Sequence, residues 1–478
     1  MIKVQHPKLT VTLFKLVQHD GEIAAPYRGS DSIFDITPLL GDAGSVQVSK
    51  DIHSPCGGFS IKFADRVGGS RSDTVAAMIE PMDMIEIRAS RQAWKYAGRK
   101  LPLIMRGFVT TIRRSESMHG GDPTRTVIIT GYDSGVLWLI NRFDMQLAMM
   151  LETPLIAQVC KLQAAVGMDA KIFPVSEFVK EVTDKITNEK VSQLNAISSH
   201  EFKPFAVDAT VTEGNVSPFS VGQFTGPYWD LIATYADRPW NELFIEDRGE
   251  PGSEIPTVVF RPSHFKAVDG STIMPGATDP GRFEVDDKDI IDLNTSRSSS
   301  RVANIFFVPP GASMIATNQA YTISQMANGK AVDFDHGNNS PWLFGIARMD
   351  STTMLIHTGL DELPAKLPPG EREPANQQYV EWGEHRRDQL KALNRDNIVW
   401  EEGDAVVKGS ETIKPGRWMT IHRGTTEAEY YCNRVAHNFS PLRDWTASVG
   451  LVRGTGFMVR RKQDGVYFKE GRRGPYSA

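Results

Sequence analysis

Pairs of neighbouring carboxylates are the residues of this sequence best suited to chemistry. Glu401 and Glu402 form one pair, and Asp286 and Asp287 form another. Two carboxyl groups across a cleft can hydrolyse a glycosidic bond, one as acid and the other as base or nucleophile. Adjacent carboxylates are also common on ordinary protein surfaces, so neither pair is nominated as catalytic.

The acidic run that begins at Asp286 and continues to Asp292 suggests a calcium loop. An EF-hand loop that starts at Asp286 needs glycine at its sixth position and glutamate at its twelfth. This sequence has Ile291 and Arg297 at those positions. The run therefore fails the requirements of a calcium loop.

The cysteines do not form a disulfide framework or a zinc site. Cys56, Cys160 and Cys432 lie more than a hundred residues apart. No CxxC pair occurs, and no histidine stands at the spacing of a zinc ligand.

Histidines offer the last chemical candidates. His336 and Ser340 stand close together, but the motifs of serine hydrolases, zinc proteases and phosphate-binding loops are absent. His437 alternates with aromatic residues along a strand, which is typical of a hydrogen-bonded structural histidine. The sequence therefore predicts a protein that is not an enzyme, with no catalytic, cofactor-binding or metal-binding residue.

The totals describe an ordinary folded protein. The chain has 478 residues, of which 40% are hydrophobic and 23% charged, and this length predicts two or more domains. No apolar run is long enough to cross a bilayer as a helix. Met1 to Val17 lacks the uninterrupted apolar stretch of a signal peptide. We therefore expect synthesis and folding in a cytoplasm, without membrane insertion.

The C-terminal end is basic although the formal net charge is -5. Arg453 to Ala478 contains seven basic residues against Asp464 and Glu470. Such a segment can contact nucleic acid, with Tyr467 and Phe468 as stacking faces, or an acidic protein surface. A solvated tail is the favoured interpretation, and the choice between contact with DNA and contact with the spike stays open.

The elements that must position these residues are mostly strands. Short β-branched or alternating segments recur between turn signals, which predicts a small barrel or sandwich for residues 1–150. These predicted strands are Thr10 to Leu16, Val46 to Ser49, Ser60 to Ala64, Ile85 to Arg88, Phe108 to Ile112 and Arg125 to Thr130. The last two should form a hairpin with a long loop at Gly120 to Pro123.

The middle of the chain mixes element types. We predict helices over Thr153 to Gly167 and over Tyr228 to Ala236, the second ended by the Asp237-Arg238-Pro239 sequence. Lys180 to Ser217 is polar and weakly patterned, which favours an exposed loop. The predicted strands that follow are Asn241 to Ile245, Thr257 to Arg261 and Arg301 to Val308.

The last part returns to strands after a linker at Pro364 to Pro374 and a polar helix over Ala375 to Asn394. From Glu429 to Arg453 the apolar residues alternate, which predicts a hairpin that turns at Ser440 to Asp444. We expect Tyr431, Val435 and Phe439 on one face. No repeat is visible in the sequence, although two β-rich regions around a mixed middle permit a structural duplication.

Several segments together resemble the tail hub proteins of phages. A Pro-Gly turn within Ile413 to Met419, a strand over Tyr430 to Phe439 that contains a Val-x-His-x-Phe unit, and a last strand from Trp445 to Gly454 occur in that order. Gly107 to Ile112 with Ile129 to Asp133 resembles the same family. So does Ile290 to Val308, which contains the Arg-Val-Ala-Asn sequence at 301–304. The resemblance extends over most of the chain.

This resemblance implies a mainly β protein (α+β) with two tube-like barrels that assembles as a ring-shaped homotrimer. Three chains would present six similar barrels and so match a threefold spike to a sixfold tail tube. The implied partners are the tail tube protein, the spike, baseplate wedge proteins and the tape-measure protein, with DNA passing through the channel. The implied location is the tail baseplate of a virion assembled in the host cytoplasm.

The resemblance also suggests how the chain is divided. We expect a first barrel at 1–150, a middle region at 151–300, a second barrel at 301–455 with an inserted helix at 375–394, and a basic tail at 456–478. A tail-tip cell-wall hydrolase and a carbohydrate-binding receptor protein are the alternative functions.

Overall fold

A computed structural model of the chain describes most of its residues. Of the segments predicted above, the helix over Thr153 to Gly167 and most of the basic tail lie outside the described residues. The described residues are 7–18, 24–41, 43–65, 75–119, 122–144, 173–216, 225–309, 311, 329–356, 369–423, 426–441, 444–455, 462–463 and 466–467.

The chain is mainly β, as predicted. Every strand predicted in the first 150 residues is present. The strands of this part are β1 Lys8–Phe14, β2 Val17–Gln18, β3 Ala25–Pro26, β4 Ile33–Asp35, β5 Ser45–Asp51, β6 Gly58–Asp65, β7 Met84–Ser90, β8 Leu103–His119, β9 Asp122–Asp133 and β10 Arg142–Asp144. Because β8 ends at His119 and β9 begins at Asp122, the long hairpin loop that we predicted was wrong.

The remaining strands are distributed over the rest of the chain. They are β11 Phe173–Pro174, β12 Ala206–Ala209, β13 Asn215–Val216, β14 Thr225–Pro227, β15 Asn241–Arg248, β16 Ile255–Pro262, β17 Arg282–Asp286, β18 Ile290–Ser296, β19 Ile305–Phe307, β20 Arg348–Asp350, β21 Glu401–Lys408, β22 Arg417–Arg423, β23 Thr426–Ser440, β24 Asp444–Gly454, β25 Lys462–Gln463 and β26 Val466–Tyr467. The strand predicted over Arg301 to Val308 is thus shorter than expected.

Seven helices lie between these strands in the described part of the chain. They are α1 Val75–Met78, α2 Val136–Ile140, α3 Val175–Val182, α4 Asn188–Ala196, α5 Tyr228–Thr234, α6 Pro341–Phe344 and α7 Pro369–Asn394. A π-helical turn at Thr183–Thr187 joins α3 to α4. The five 3-10 turns are Thr37–Leu39, Ala93–Tyr96, Asp287–Asp289, Ser299–Arg301 and Gly337–Asn339.

A predicted loop and a predicted linker need correction because each contains helical residues. Two predicted helices are confirmed. The loop predicted over Lys180 to Ser217 is helical as far as Ala196, because an apolar stripe that includes Phe178 and Val182 begins before Lys180 and is buried. The linker predicted at Pro364 to Pro374 is helical from Pro369 onward. Helix α5 matches its prediction, and α7 contains the predicted helix at 375–394.

A single 13-stranded sheet dominates the fold. Eleven strands follow one another in the order β18-β21-β24-β23-β5-β6-β9-β8-β7-β1-β4, and β22 and β17 branch from β23. Apolar side chains alternate along the strands and so face the interior on one side. In β24, for example, Trp445, Ala447, Val449 and Leu451 are all buried, as the alternation predicted.

Apart from β4, the sheet consists of two copies of one six-strand topology. We call β1, β5, β6, β7, β8 and β9 the first repeat, and β17, β18, β21, β22, β23 and β24 the second repeat. Numbered by position within its repeat, each copy has the strand order 2-3-6-5-4-1. The pairs match in direction except that β1 is antiparallel to β7 whereas β17 is parallel to β22. This tertiary structure contains the duplication that the sequence only permitted.

Each repeat has its own hydrophobic core. Elements from the middle part of the chain form a third hydrophobic core. The first includes Val11, Ile61 and Val127, and the second includes Val407 and Val449. Helices α2, α3, α4 and α5 form the third core together with a small sheet of order β12-β16-β15. We call this small sheet the middle sheet.

Candidate functional site

The two repeats are joined along one strand pair, which we call the seam. The fifth strand of the second repeat, β23, pairs antiparallel with the second strand of the first repeat, β5. The register runs from Arg434 opposite Asp51 to Phe439 opposite Val46. Since β5 also pairs with β6, and β23 with β24, main-chain hydrogen bonds continue from one repeat into the other.

A β-bulge in β23 sets which side chains face which layer at the seam. The register with β24 shifts between Cys432 and Arg434, so Asn433 is the extra residue. Cys432 and Val435 therefore face the core of the second repeat, whereas Tyr431 packs on the other side against Trp418. Our prediction that Tyr431 and Val435 share a face was wrong, because a bulge reverses the alternation.

Tyr431 enters a buried polar cluster with the middle sheet. Its hydroxyl donates to Glu242 on β15 at 2.6 Å, and Arg261 on β16 donates to the same carboxylate at 2.9 Å. Arg261 also donates to the carbonyl oxygen of Gly416 at 2.6 Å. Burial, and then the charge of Glu242, raise the pKa of Tyr431 far above its usual value. The phenol therefore stays protonated and acts as a donor.

A second buried cluster attaches the middle sheet to the first repeat. Lys50 on β5 lies 3.3 Å from carboxylate oxygens of both Asp133 on β9 and Asp247 on β15. Burial alone would lower the pKa of Lys50, but the two carboxylates outweigh it and raise that pKa. A partly buried cation between two buried anions has little freedom to move, since each anion left alone would carry an uncompensated charge.

Acidic residues in or next to the strands of the middle sheet also bind arginines of both repeats. Glu254 receives two hydrogen bonds from Arg88 of the first repeat, at 2.7 and 2.9 Å. Glu246 receives one from Arg417 of the second repeat at 2.9 Å. Burial opposes ionisation of Glu246, but Lys414 and Arg417 hold its pKa below the usual value. Acidic side chains of one small sheet thus hold both repeats.

A third connection lies at the end of β7. Arg91 donates to both oxygens of Asp289, at 2.8 and 2.9 Å, and Lys408 lies 3.2 Å from the same carboxylate. The pKa of Asp289 is lowered, chiefly by the hydrogen bond from Arg91. Glu411 accepts hydrogen bonds from the Ser90 hydroxyl and from the main chain of Arg91.

Helix α7 is anchored by a buried arginine. Arg386 lies over the ring of Trp382, with 4.2 Å between the guanidinium carbon and the ring centroid, and 3.3 Å from the carboxylate of Asp237. The Trp240 indole donates to the carbonyl oxygen of Arg386 at 3.0 Å. The inserted helix is therefore attached through aromatic and charged contacts to the region just before β15.

The carboxylate pairs serve as ion-pair partners. Glu401 accepts from Arg297 and from the Tyr430 hydroxyl, each at 2.9 Å, and Glu402 pairs with Arg301. Asp286 lies 2.9 Å from Lys288, and Asp287 lies 3.2 Å from Arg423. No group of three or more metal-ligating side chains occurs within the described residues.

The histidines take structural positions. His437 is buried in β23, with its Nε2 3.2 Å from the carbonyl oxygen of Ile413, and burial lowers its pKa to about 4. His437 is thus a buried, hydrogen-bonded residue, and its purely structural role stays a prediction. The His336 ring accepts from the main chain of Asn338 at 3.3 Å and lies 3.8 Å from Asp396.

Polar side chains line the other face of the sheet along the seam. A groove of about 550 Å³ lies there, bordered by Ser49, Asp51, Asp404, Arg434 and Ser448 among others. On this face Asp404 receives a hydrogen bond from Arg434 at 2.6 Å. The sheet thus has one apolar face over the cores and one polar, grooved face.

No helix in the described part of the chain is long and apolar enough to span a membrane.

Sequence analysis did not identify the charged residues that join the middle sheet to the two repeats. Lys50, Glu242, Asp247 and Glu254 lie in or next to strand segments where such side chains normally point to solvent. The available signal was weak: β15 and β16 carry charged residues within apolar runs, as in Asn-Glu-Leu-Phe at 241–244. Only pairing between distant strands shows that these charges meet.

Comparisons with known proteins give structural likeness alone. No family model and no curated protein matches the sequence. A prophage tail protein of Shewanella oneidensis aligns with 94% of this chain and 97% of its own, at 10% identity and a TM-score of 0.45. A tail protein of Neisseria meningitidis aligns with 96% and 98%, at 10% identity and a TM-score of 0.44.

A component of the type VI secretion system of E. coli also aligns. The alignment covers 89% of this chain and 75% of the E. coli chain, at 8% identity and a TM-score of 0.36. The E. coli protein is described as structurally similar to phage tail proteins. These three solved structures are thus two phage-type tail proteins and a type VI secretion protein.

Proposed function

We propose that this protein is the central hub of a phage-type tail baseplate, a structural adaptor between a sixfold tail tube and a threefold spike. The observation that carries the proposal is the duplication of one six-strand topology within the chain. The resemblance to tail hub proteins implies that a tube subunit has one such unit, so a chain with two units would count twice in a ring. Three chains then present six equivalent units, and the ring has both symmetries.

The rigidity of the seam supports this role. A ring of six units made from three chains requires the two units of one chain to keep a fixed angle. The β5–β23 pairing, the middle sheet with Glu242, Asp247 and Glu254, and the Arg91–Asp289 pair resist movement between the repeats from three sides. Buried, hydrogen-bonded charges are strongly destabilising when separated.

The polar, grooved face of the sheet is proposed to line the central channel. Its side chains at the seam are small or balanced in charge, as with Asp404 and Arg434. Such a wall lets DNA or a tape-measure protein pass without binding it tightly. The proposed partners are the tube protein, the spike and the baseplate wedges, and the proposed location is the virion tail. The four segments 1–150, 151–300, 301–455 and 456–478 stay a prediction.

The proposal is tested by the mass of the native particle. Light scattering of the full chain, alone and with a phage-type tube protein and spike protein, should give a trimer of three 53.1 kDa chains in at least one sample. Electron microscopy of that sample along its axis should then show six similar features. A monomer under all conditions contradicts the adaptor role.

The alternative functions have tests of their own. A cell-wall hydrolase clears peptidoglycan in a zymogram, and a carbohydrate receptor binds on a glycan array. We expect neither activity. Glu401→Gln provides the control for the first assay, because Glu401 accepts hydrogen bonds from Arg297 and Tyr430 and should matter for stability only.

A further inference from the structure

Among the strand edges that lack a pairing strand in the described structure, two are the topological counterparts of the seam. The outer edge of β23 pairs with β22 over its first half and with β5 over its second half. The corresponding edge of β8 pairs with β7 up to Phe108, and no described strand continues that edge. Likewise β5 has partners on both sides, whereas its counterpart β18 pairs only with β21 among the described strands.

The two repeats can be aligned residue by residue through their bulges. In β8 the register with β9 shifts between Val109 and Thr111, and in β23 the register with β24 shifts between Cys432 and Arg434. Both bulges lie in the fifth strand of a repeat, so Thr111 corresponds to Arg434. Following the pairings outward through β6 and β21 makes Gln47 of β5 correspond to Asn294 of β18.

The aligned strands carry similar side chains, which their order in the sequence conceals. Residues 46–50 read Val-Gln-Val-Ser-Lys, and the corresponding residues 293–297 read Leu-Asn-Thr-Ser-Arg. An aliphatic residue, an amide, a β-branched residue, a serine and a cation recur in the same order. In the other strand, Ile112 corresponds to Val435, and both are β-branched. The edge of β18 is thus built like the strand that already forms a seam.

We propose that β18 of one chain pairs antiparallel with the second half of β8 of the next chain and so repeats the seam between chains. This inference rests on the proposed ring and names the surface that closes it. A second copy of the chain is the occupant because it supplies the counterpart of each seam strand. An unpaired edge also attracts strands of other molecules unless it is covered, and this contact covers both edges.

The seam predicts the register of this contact. Asn438 lies opposite Gln47, so Ser115 should lie opposite Asn294 of the neighbouring chain. The Ile52 amide donates to the Asn433 carbonyl oxygen at 3.0 Å, which makes Ile52–Asn433 a hydrogen-bonded pair. Five residues along, Gln47–Asn438 is then a non-hydrogen-bonded pair, whose Cα atoms lie about 4.5 Å apart. That separation is within the range that a disulfide spans.

Cysteine cross-linking of the full chain tests the register. Ser115→Cys with Asn294→Cys should give covalently linked chains on a non-reducing gel after mild oxidation. Ser115→Cys with Thr295→Cys is the shifted control, because Thr295 points to the opposite face, and its yield should be about tenfold lower. Gln47→Cys with Asn438→Cys is the positive control, since it should form a disulfide within one chain. Each single variant reports cross-links to the native cysteines.

The outcomes separate this inference from the proposed function. Linked chains from the Ser115–Asn294 pair, and few from the shifted pair, support the edge contact. A trimer by light scattering without these cross-links, while the positive control reacts, overturns the edge contact and leaves the hub proposal intact. Equal yields from both pairs overturn the register. Monomers in every sample contradict the edge contact and the hub together.

Discussion

The hydroxyl of Tyr431 lies 2.6 Å from an oxygen of Glu242, and this hydrogen bond joins the fifth strand of the second repeat to the middle sheet. Both residues are buried. Glu242 also accepts a hydrogen bond from Arg261, so its carboxylate has two donors that come from different layers. The stability of the seam should therefore depend on a few buried polar contacts that can be removed one at a time.

Tyr431→Phe should lower the free energy of unfolding by about 1–3 kcal/mol, because a buried carboxylate loses a charge-assisted donor while the packing is kept. Chemical denaturation measures the change. Tyr132→Phe is the matched control, since Tyr132 is 47% exposed on β9. Equal effects of the two substitutions would show that the hydrogen bond to Glu242 contributes nothing.

Lys50→Met should destabilise the protein by roughly 3–5 kcal/mol, because it leaves Asp133 and Asp247 buried without their cation. Thermal unfolding measures the shift. Lys62→Met on the neighbouring strand β6 is the control, since Lys62 is exposed and its side chain can stay in solvent. If the two variants unfold at the same temperature, Lys50 does not hold the seam.

Gly416→Ala should destabilise the turn before β22. Gly416 has a φ of +76°, and an added Cβ would lie 3.0 Å from Arg261 and from Phe244. Gly98→Ala isolates the packing part of the cost, because Gly98 has a φ of +74° with no atom within 4 Å of its added Cβ. Strain in the left-handed region costs about 1–2 kcal/mol in both, and Gly416→Ala should cost more. A smaller loss at Gly416 than at Gly98 would contradict the close approach.

His437 should make the protein less stable in mild acid. Its pKa is about 4 in the folded chain and 6.5 at its ordinary value, so the unfolded chain binds the additional proton between these pH values. This contribution to stability is complete above pH 6.5 and is lost as the pH falls toward 4. The loss amounts to about 3 kcal/mol.

His437→Gln should remove this part of the pH dependence, because glutamine does not titrate and can still donate to the carbonyl oxygen of Ile413. Denaturation at a series of pH values between 4 and 7 measures it. His422→Gln, at a partly exposed position of β22, should leave the profile close to that of the unmodified protein. A profile unchanged by His437→Gln would exclude His437 as its source.

The sequence by itself determined the mainly β fold class of the protein and most of its strands. Alternation of apolar residues is a local property, so β1, β24 and the hairpin of β23 with β24 follow from their own residues. Helix α7 follows in the same way, because residues that share one face of the helix recur at three- and four-residue steps. The loop predicted over Lys180 to Ser217 failed because the apolar stripe of α3 begins before that segment.

Only the tertiary structure decided the duplication, the seam and the buried charges. Asp51 and Arg434 become neighbours because β5 pairs with β23, and no local pattern in either strand encodes that choice. The bulge at Asn433 reverses which side of β23 is buried, and this placed Tyr431 beside Glu242 rather than beside Val435. Strand pairing and bulges are set by contacts between distant residues, which a pattern read along the chain does not contain.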